Sequence, residues 1–215
     1  MDIHILSLFP ESIHPYLDSS IMKRAQEKGL FRYFIHNLTD WTVRKTRRVD
    51  DRPYGGGAGT ILTVEPLTQA IRDLEREFGT MRILYPSPRG NLLTQKKLWE
   101  IASAHESICI ICWHYEGIDE RIFSLFPVEH ISIGEYVLSS GELASLVIID
   151  GIVRLIPGVL SEESLSEESY AETLHGKKEY PQYSRPEIFE WLQVPTELLS
   201  GDHKKIHDWN HGHLE

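Results

Sequence analysis

The chain has 215 residues, 41% of them hydrophobic and 25% charged, enough for one sizeable core or a core plus a small appendage. Its formal net charge of -10 argues against nucleic-acid binding over the whole surface, so any such contact must be local. No apolar run approaches the roughly 20 residues that span a bilayer, and the opening "MDIHILSLFPES" lacks the basic start and cleavage site of a secretory signal. A cytoplasmic address is the expectation that follows.

Apolar runs at 3–9, 31–35, 82–85, 108–112, 130–133 and 146–149 predict strands, the first stopped by Pro10. Between them, "EPLTQAIRDLEREFG" (65–79) sets Leu67, Ala70, Ile71, Leu74 and Phe78 at helical spacing and ends on Gly79. "TQKKLWEIASA" (94–104) opens on Thr94 as an N-cap and carries Leu98, Ile101 and Ala102 on one face. Strands alternating with helices predict an α/β domain with a largely parallel sheet. Ligands of such sheets gather outside the carboxyl ends of the strands. That singles out "YPSPRG", after the 82–85 strand, and the stretch 113–121, where Trp113, His114, Tyr115, Glu116, Asp119, Glu120 and Arg121 crowd around Gly117.

Several stretches bear on chemistry. Cys109 and Cys112 form a C-x-x-C, but on a strand that odd spacing points the thiols to opposite faces, and no second pair completes a zinc site. Arg44, Lys45, Arg47, Arg48 and Arg52 crowd into "VRKTRRVDDR", which reads either as a solvated loop or as a phosphate-contacting one. The adjoining "DDRPYGGGAGT" (50–60) lacks the Lys-Ser/Thr of a P-loop and fits a flexible substrate loop better than a nucleotide cradle. "SIGEYVLSSGELAS" (132–145) is apolar and rich in backbone amides; a planar ligand such as adenine and a plain tight turn both account for it. Arg154 stands alone in "GIVRLIPGVL", which calls for a carboxylate partner or an anionic substrate.

After Pro157 the composition changes. "SEESLSEESYAETLHGKKE" (161–179) is acidic and poor in aliphatics, and reads as a mobile linker between a domain over 1–160 and a short helical one over 180–215. His203, His207 and His211 lie four apart, but no H-E-x-x-H pattern accompanies them, and no metal site is expected.

In this order, "SLFPE", "VDDRPYGGGAG", "SPRGNLLTQ", "YEGIDER", "SIGEYVLSSGELAS", "RLIPGVL", "YPQYSRP" and "LLSGDH" resemble the TrmD family, the bacterial tRNA (guanine-N1)-methyltransferases, from about residue 3 to residue 209. The resemblance implies a SPOUT fold, an α/β parallel sheet with a deep trefoil knot, and a homodimer. It implies S-adenosylmethionine held by Tyr85, Pro86, Ser87, Pro88 and Gly90, by Trp113, Tyr115 and Glu116, and by Ile133, Gly134, Glu135, Tyr136, Val137, Leu138, Ser140 and Gly141. Methyl transfer goes to N1 of guanine 37, in the tRNA anticodon stem-loop, with magnesium as an aid in relatives. Arg44, Arg48, Arg52, Tyr54, Gly55, Ser169 and Arg185 would contact the tRNA.

N1 of guanine attacks only once its proton has left, so a carboxylate base is needed, and an Arg can steady the charge that builds on O6. By resemblance Arg154 takes the second role. The base is an Asp in the family's Asp-Ser-Phe triplet, contributed by the other subunit, and here the matching triplet is Glu168-Ser169-Tyr170. Trp113 and Ser140 stand where the family has Gly, Glu135 where it has Asp, and Thr60 where it usually has Met; the tail "HDWNHGHLE" stops where relatives continue with more basic sequence. These departures motivate two competing readings, a homologue that binds RNA or cofactor without turnover and a knotted methyltransferase with another RNA target.

Overall fold

The computed structural model describes residues 1–215, which form two compact units, Met1–Val159 and Leu160–Glu215. The first unit runs β1 (Asp2–Ser7), α1 (His14–Leu17), α2 (Ser20–Glu27), β2 (Arg32–Asn37), β3 (Asp50–Asp51), β4 (Ile61–Leu62), α3 (Val64–Phe78) and β5 (Arg82–Leu92). It continues with α4 (Gln95–Ser103), β6 (Ile108–Ile111), α5 (Ile122–Leu125), β7 (Val128–Ser132) and α6 (Gly141–Val153).

Five strands make one parallel sheet in the order β2-β1-β6-β5-β7. The two central strands explain why. Ile3, Ile5 and Leu6 of β1 and all four residues of β6 are buried, and a strand covered on both faces reads as a continuous apolar run. Helix α3 covers one face with Leu67, Ala70, Ile71 and Leu74. It stops at Gly79, whose φ of +86° suits glycine. Burying each of Leu67, Ile71 and Leu74 contributes about 1.5–3 kcal/mol. Thr94 caps α4 by accepting from the Lys97 amide at 3.2 Å, as its position predicts.

Two expectations change. The run 146–149 is not a strand but the middle of α6, a helix with Ala144, Ser145, Leu146, Ile148, Ile149, Ile152 and Val153 all buried. A short apolar run cannot be told from a buried helix by periodicity alone, and α6 is apolar nearly all round. Strand β5 outruns its predicted 82–85 core. Pro86 and Asn91 both face Ile131, so 87–90 bulges out of the ladder beyond the sheet's carboxyl edge. Gly90 is required there, because a Cβ would lie 2.5 Å from the Ile131 amide nitrogen.

The cysteines lie on opposite faces. Cys109 packs in the cluster under α3, while Cys112 Sγ is 3.2 Å from Ser145 Oγ of α6. Both are free thiols, and burial pushes Cys109 up to about 12 and Cys112 upward as well. Neither has the thiolate character that redox chemistry needs.

The second unit comprises α7 (Glu162–Ser166), a tight turn at Glu172–Leu174, the hairpin β8 (Ile188–Phe189) and β9 (Leu192–Gln193), α8 (Thr196–Leu199) and α9 (His203–Gly212). The stretch expected as a linker thus carries local structure. Ser161 caps α7 through the Ser164 amide, and Ala171 and Leu174 are buried. Asp202 caps α9 through the amides of Lys204 and Lys205. No helix in the chain is long and apolar enough to cross a membrane.

Candidate functional site: a cleft at the strand ends

The carboxyl ends of β5, β6 and β7 open onto three loops that enclose a cleft. Pro86, Ser87 and Pro88 of the β5 bulge form one wall and Trp113 after β6 another. Ile131, Ser132, Ile133, Gly134, Tyr136 and Leu138, at and after β7, form the third, and Ala144 of α6 closes the floor. The cleft has a volume of about 280 Å³, part of it open to solvent. Tyr136 is exposed and held by one long bond, 3.4 Å to the Ile133 carbonyl, so it can turn.

Bare backbone shapes the cleft. A Cβ on Gly134 would come within 2.3 Å of the Tyr136 ring, and one on Gly141 within 2.6 Å of the Trp113 amide nitrogen. The Gly141 amide donates to the Trp113 carbonyl at 2.8 Å, tying the start of α6 to the turn after β6. Apolar walls, two aromatic rings, the hydroxyls of Ser87 and Ser132 and nearby backbone amides suit a flat heterocycle with a polar edge. The residues present therefore fit the adenine part of S-adenosylmethionine.

Other named residues stand around this cleft rather than in its lining. Tyr85 is buried below it against Phe123 and His130, and burial pushes its phenol up to about 12. Tyr115 adopts a left-handed φ of +61°, stacks edge-on against His114 at 4.7 Å, and leads into Glu116 and Gly117. Glu135 and Val137 project outward, and Ser140 is the N-cap of α6 without a side-chain capping bond. Ile131, Ser132 and Ala144 line the cleft without having been named individually: Ile131 and Ser132 fall in the run 130–133 read as a strand, and Ala144 in the 132–145 stretch, whose helix the 146–149 run concealed.

The glycine-rich and basic segments meet the crowded turn in the same unit. The Glu116 amide donates to the Thr60 carbonyl at 2.9 Å, and Leu62 exchanges backbone bonds with Gly117 and Asp119. Gly59 leaves room for Glu116, whose Cγ would lie 2.7 Å from a Cβ there. Arg44 pairs with Asp51 at 2.9 Å, Arg47 with Asp40 at 2.5 Å, and Arg48 with Asp50 at 3.0 Å. Hydrogen bonding to Arg48 holds the Asp50 carboxyl below its usual range. The two pairs exposed on both sides, Arg44–Asp51 and Arg47–Asp40, are worth roughly 0–1 kcal/mol each and exchange readily for a phosphate, whereas Asp50 is buried. Arg52 and Tyr54 are exposed beside them, and Gly55 takes a φ of +86°. Past Gly117, Asp119 grips Arg121 through two bonds of 2.9 and 2.7 Å, and Glu120 pairs with Arg89 at 3.2 Å.

The two residues named for catalysis belong to different units. Arg154 caps the end of α6, its amide donating to the Asp150 carbonyl at 3.0 Å. Glu168 is half-buried in the second unit, and its carbonyl accepts from the Ala171 amide at 3.0 Å. Ser169 Oγ accepts from the Glu179 amide at 3.1 Å, and Arg185 is exposed. On α9, His207 and His211 stack at 4.1 Å, yet no group of three or more His, Cys, Asp or Glu side chains is arranged to hold a metal ion.

A parallel α/β sheet with a cleft over its strand ends and a basic loop alongside has the build of the α/β proteins that take ligands at their strand ends. The comparisons narrow this. The family model described as tRNA (Guanine-1)-methyltransferase TrmD matches residues 1–214. A tRNA (guanine-N(1)-)-methyltransferase of Clostridioides difficile strain 630 is 47% identical over 212 residues, covering 97% of this chain and 90% of that protein. One of Carboxydothermus hydrogenoformans is 47% identical over 210 residues, covering 97% and 81%. The crystal structure of the tRNA (m1G37) methyltransferase from Aquifex aeolicus matches with a TM-score of 0.81 at 36% identity, covering 99% of this chain and 88% of that one. The chain belongs to the TrmD family of tRNA (guanine-1)-methyltransferases.

Proposed function

We propose that this protein methylates N1 of guanine 37 in tRNA with S-adenosylmethionine as donor, in the cytoplasm and as a homodimer. The cleft carries the reading: Pro86, Ser87, Pro88, Trp113, Ile133, Gly134, Tyr136 and Leu138 line it, and all eight were named from sequence as cofactor residues. Bound S-adenosylmethionine supplies an electrophilic methyl group. The chain's own residues do the rest. Glu168 of the partner subunit takes the N1 proton, which turns a poor nucleophile into an anion. Arg154 steadies the charge that passes to O6. Arg44, Arg48, Arg52 and Arg185 neutralise phosphates, while Tyr54, Gly55 and Ser169 contact the anticodon loop.

The dimer reading is supported by α6. Leu143 and Val147 of this otherwise buried helix are 58% and 46% exposed, and Tyr16, 43% exposed, donates its hydroxyl to Asp150 of the same helix. A helix apolar all round is normally covered, and a second copy would cover it.

The test is methyl transfer from radiolabelled S-adenosylmethionine to a transcript bearing guanine 37. Incorporation that vanishes when guanine 37 becomes adenine is expected. Incorporation that survives the change would point to another RNA target, and binding without incorporation to a non-catalytic homologue.

A further inference from the structure

Beneath the cleft lies a carboxylate with no role in the chemistry above. Glu142, the second residue of α6, is only 4% exposed. Its Oε1 accepts from the Ser7 hydroxyl at 2.7 Å, and its Oε2 is buried without a protein partner. A buried carboxylate with one unsatisfied oxygen opposes folding, and an apolar side chain of the same size would be as stable or more so. Its presence calls for a reason other than stability.

The neighbours supply one. Ser7 ends β1, and its Oγ also accepts from the Phe9 amide at 2.9 Å. The Phe9 ring packs on His114 at 4.8 Å, and His114 packs on Tyr115. From the other side, the Ser145 hydroxyl bonds the Gly141 carbonyl at 2.8 Å and meets Cys112, while the Gly141 amide holds the Trp113 carbonyl. Glu142 therefore joins the carboxyl end of β1 to the first turn of α6, and each of the two contacts the 113–115 turn, at His114 and at Trp113. Glu142 itself is not among the lining residues.

We propose that Glu142 is a positioning residue for the cofactor cleft: it fixes the Trp113 wall through Ser7, Phe9 and the start of α6 without touching the ligand. The inference rests on the cofactor reading above. If it is right, removing the carboxylate loosens the wall and weakens cofactor binding while the fold stays intact, a separation of function from stability.

The experiment is titration calorimetry of full-length protein with S-adenosylmethionine, paired with thermal melts. Glu142→Met keeps the side-chain length and drops its polar atoms. It is expected to weaken binding about tenfold, with the melting temperature held within about 3 °C. Glu142→Gln keeps an acceptor for Ser7 and is expected to stay within about threefold of the parent. A Met variant as tight as the parent, or a Gln variant as weak as the Met variant, overturns the proposal. Should Glu142→Met fail to fold, Ser7→Ala carries the test: weaker binding at an unchanged melting temperature is expected, and unaltered affinity overturns it. A parent protein that does not bind S-adenosylmethionine would sink the cofactor reading itself.

Discussion

The turn after β6 and the hairpin β8–β9 each gather aromatic residues, yet they are built in opposite ways. The 113–121 turn stands on a buried strand, and its backbone is tied to the 60–62 segment and to α6. The hairpin leaves Ile188, Phe189, Trp191 and Leu192 all more than half exposed. In the whole second unit only Ala171 and Leu174 are buried hydrophobics, whereas the first unit holds a core on both faces of its sheet. Precise placement of a cofactor needs a wall whose rotamers and backbone are locked by packing. A surface that takes up a large, charged partner can leave its apolar groups open until the partner arrives. The comparison therefore predicts that changes in the core and cleft walls of the first unit register as stability or cofactor affinity, and changes in the second as tRNA turnover.

The largest expected effect breaks that symmetry at Glu168. Glu168→Gln removes the proposed base and should lower kcat by about 100- to 10,000-fold. Because Glu168 lies in the second unit, affinity for S-adenosylmethionine and the melting temperature should hardly move. Single-turnover methylation and calorimetry on the same preparation check this; retained turnover would reassign the base.

Next comes Ile71, fully buried under the sheet. Ile71→Ala should cost about 2–5 kcal/mol, from lost burial plus the cavity left behind. Denaturant titration reads that loss directly, and a cost under about 0.5 kcal/mol would be what an exposed site gives.

A smaller effect is pH-dependent and again belongs to the first unit. His4 is buried on β1, 3.0 Å from His36 and stacked against Phe34, with Phe78 packed beside it. Burial, with a contribution from His36, lowers it from 6.5 to about 4. The folded form thus holds His4 neutral where the unfolded chain would protonate it. Stability from this group is full above pH 6.5 and drains away as pH falls toward 4. Between pH 7.5 and 5 the loss is about 2 kcal/mol, or roughly 5 °C in melting temperature. Burial lowers His36 as well and adds in the same direction. His4→Phe should flatten the acid side of the melting profile; an unchanged slope would place the titration elsewhere.

Much of this division was legible in the residues. The strands at 3–9 and 108–112, the helix over 65–79 and the Thr94 cap follow from apolar spacing and end signals, which local physics sets. The walls of the cleft were legible as loops after strands, and their assignment to a cofactor came through resemblance. What periodicity could not give was the helix hidden in 146–149, since a segment buried all round has no polar face to mark its period. Glu142 was invisible for a related reason. A carboxylate in an apolar run looks like surface until Ser7, 135 residues away in sequence, is seen to hold it. In the acidic stretch 161–179, the burial of Ala171 and Leu174 leaves almost no compositional trace.

The smallest effect is the sharpest check on the comparison. Phe189 is 64% exposed on the hairpin, with Trp191 at 82%. Phe189→Ser removes as much apolar surface as many core substitutions, but the surface was never taken from water. It should therefore change stability by no more than about 0.5 kcal/mol, against several for Ile71→Ala, while raising KM for tRNA. The melt must be run across a range of protein concentrations. A loss of several degrees that deepens on dilution would show that a second copy already covers the hairpin, and the second unit would then belong with the first as packed structure.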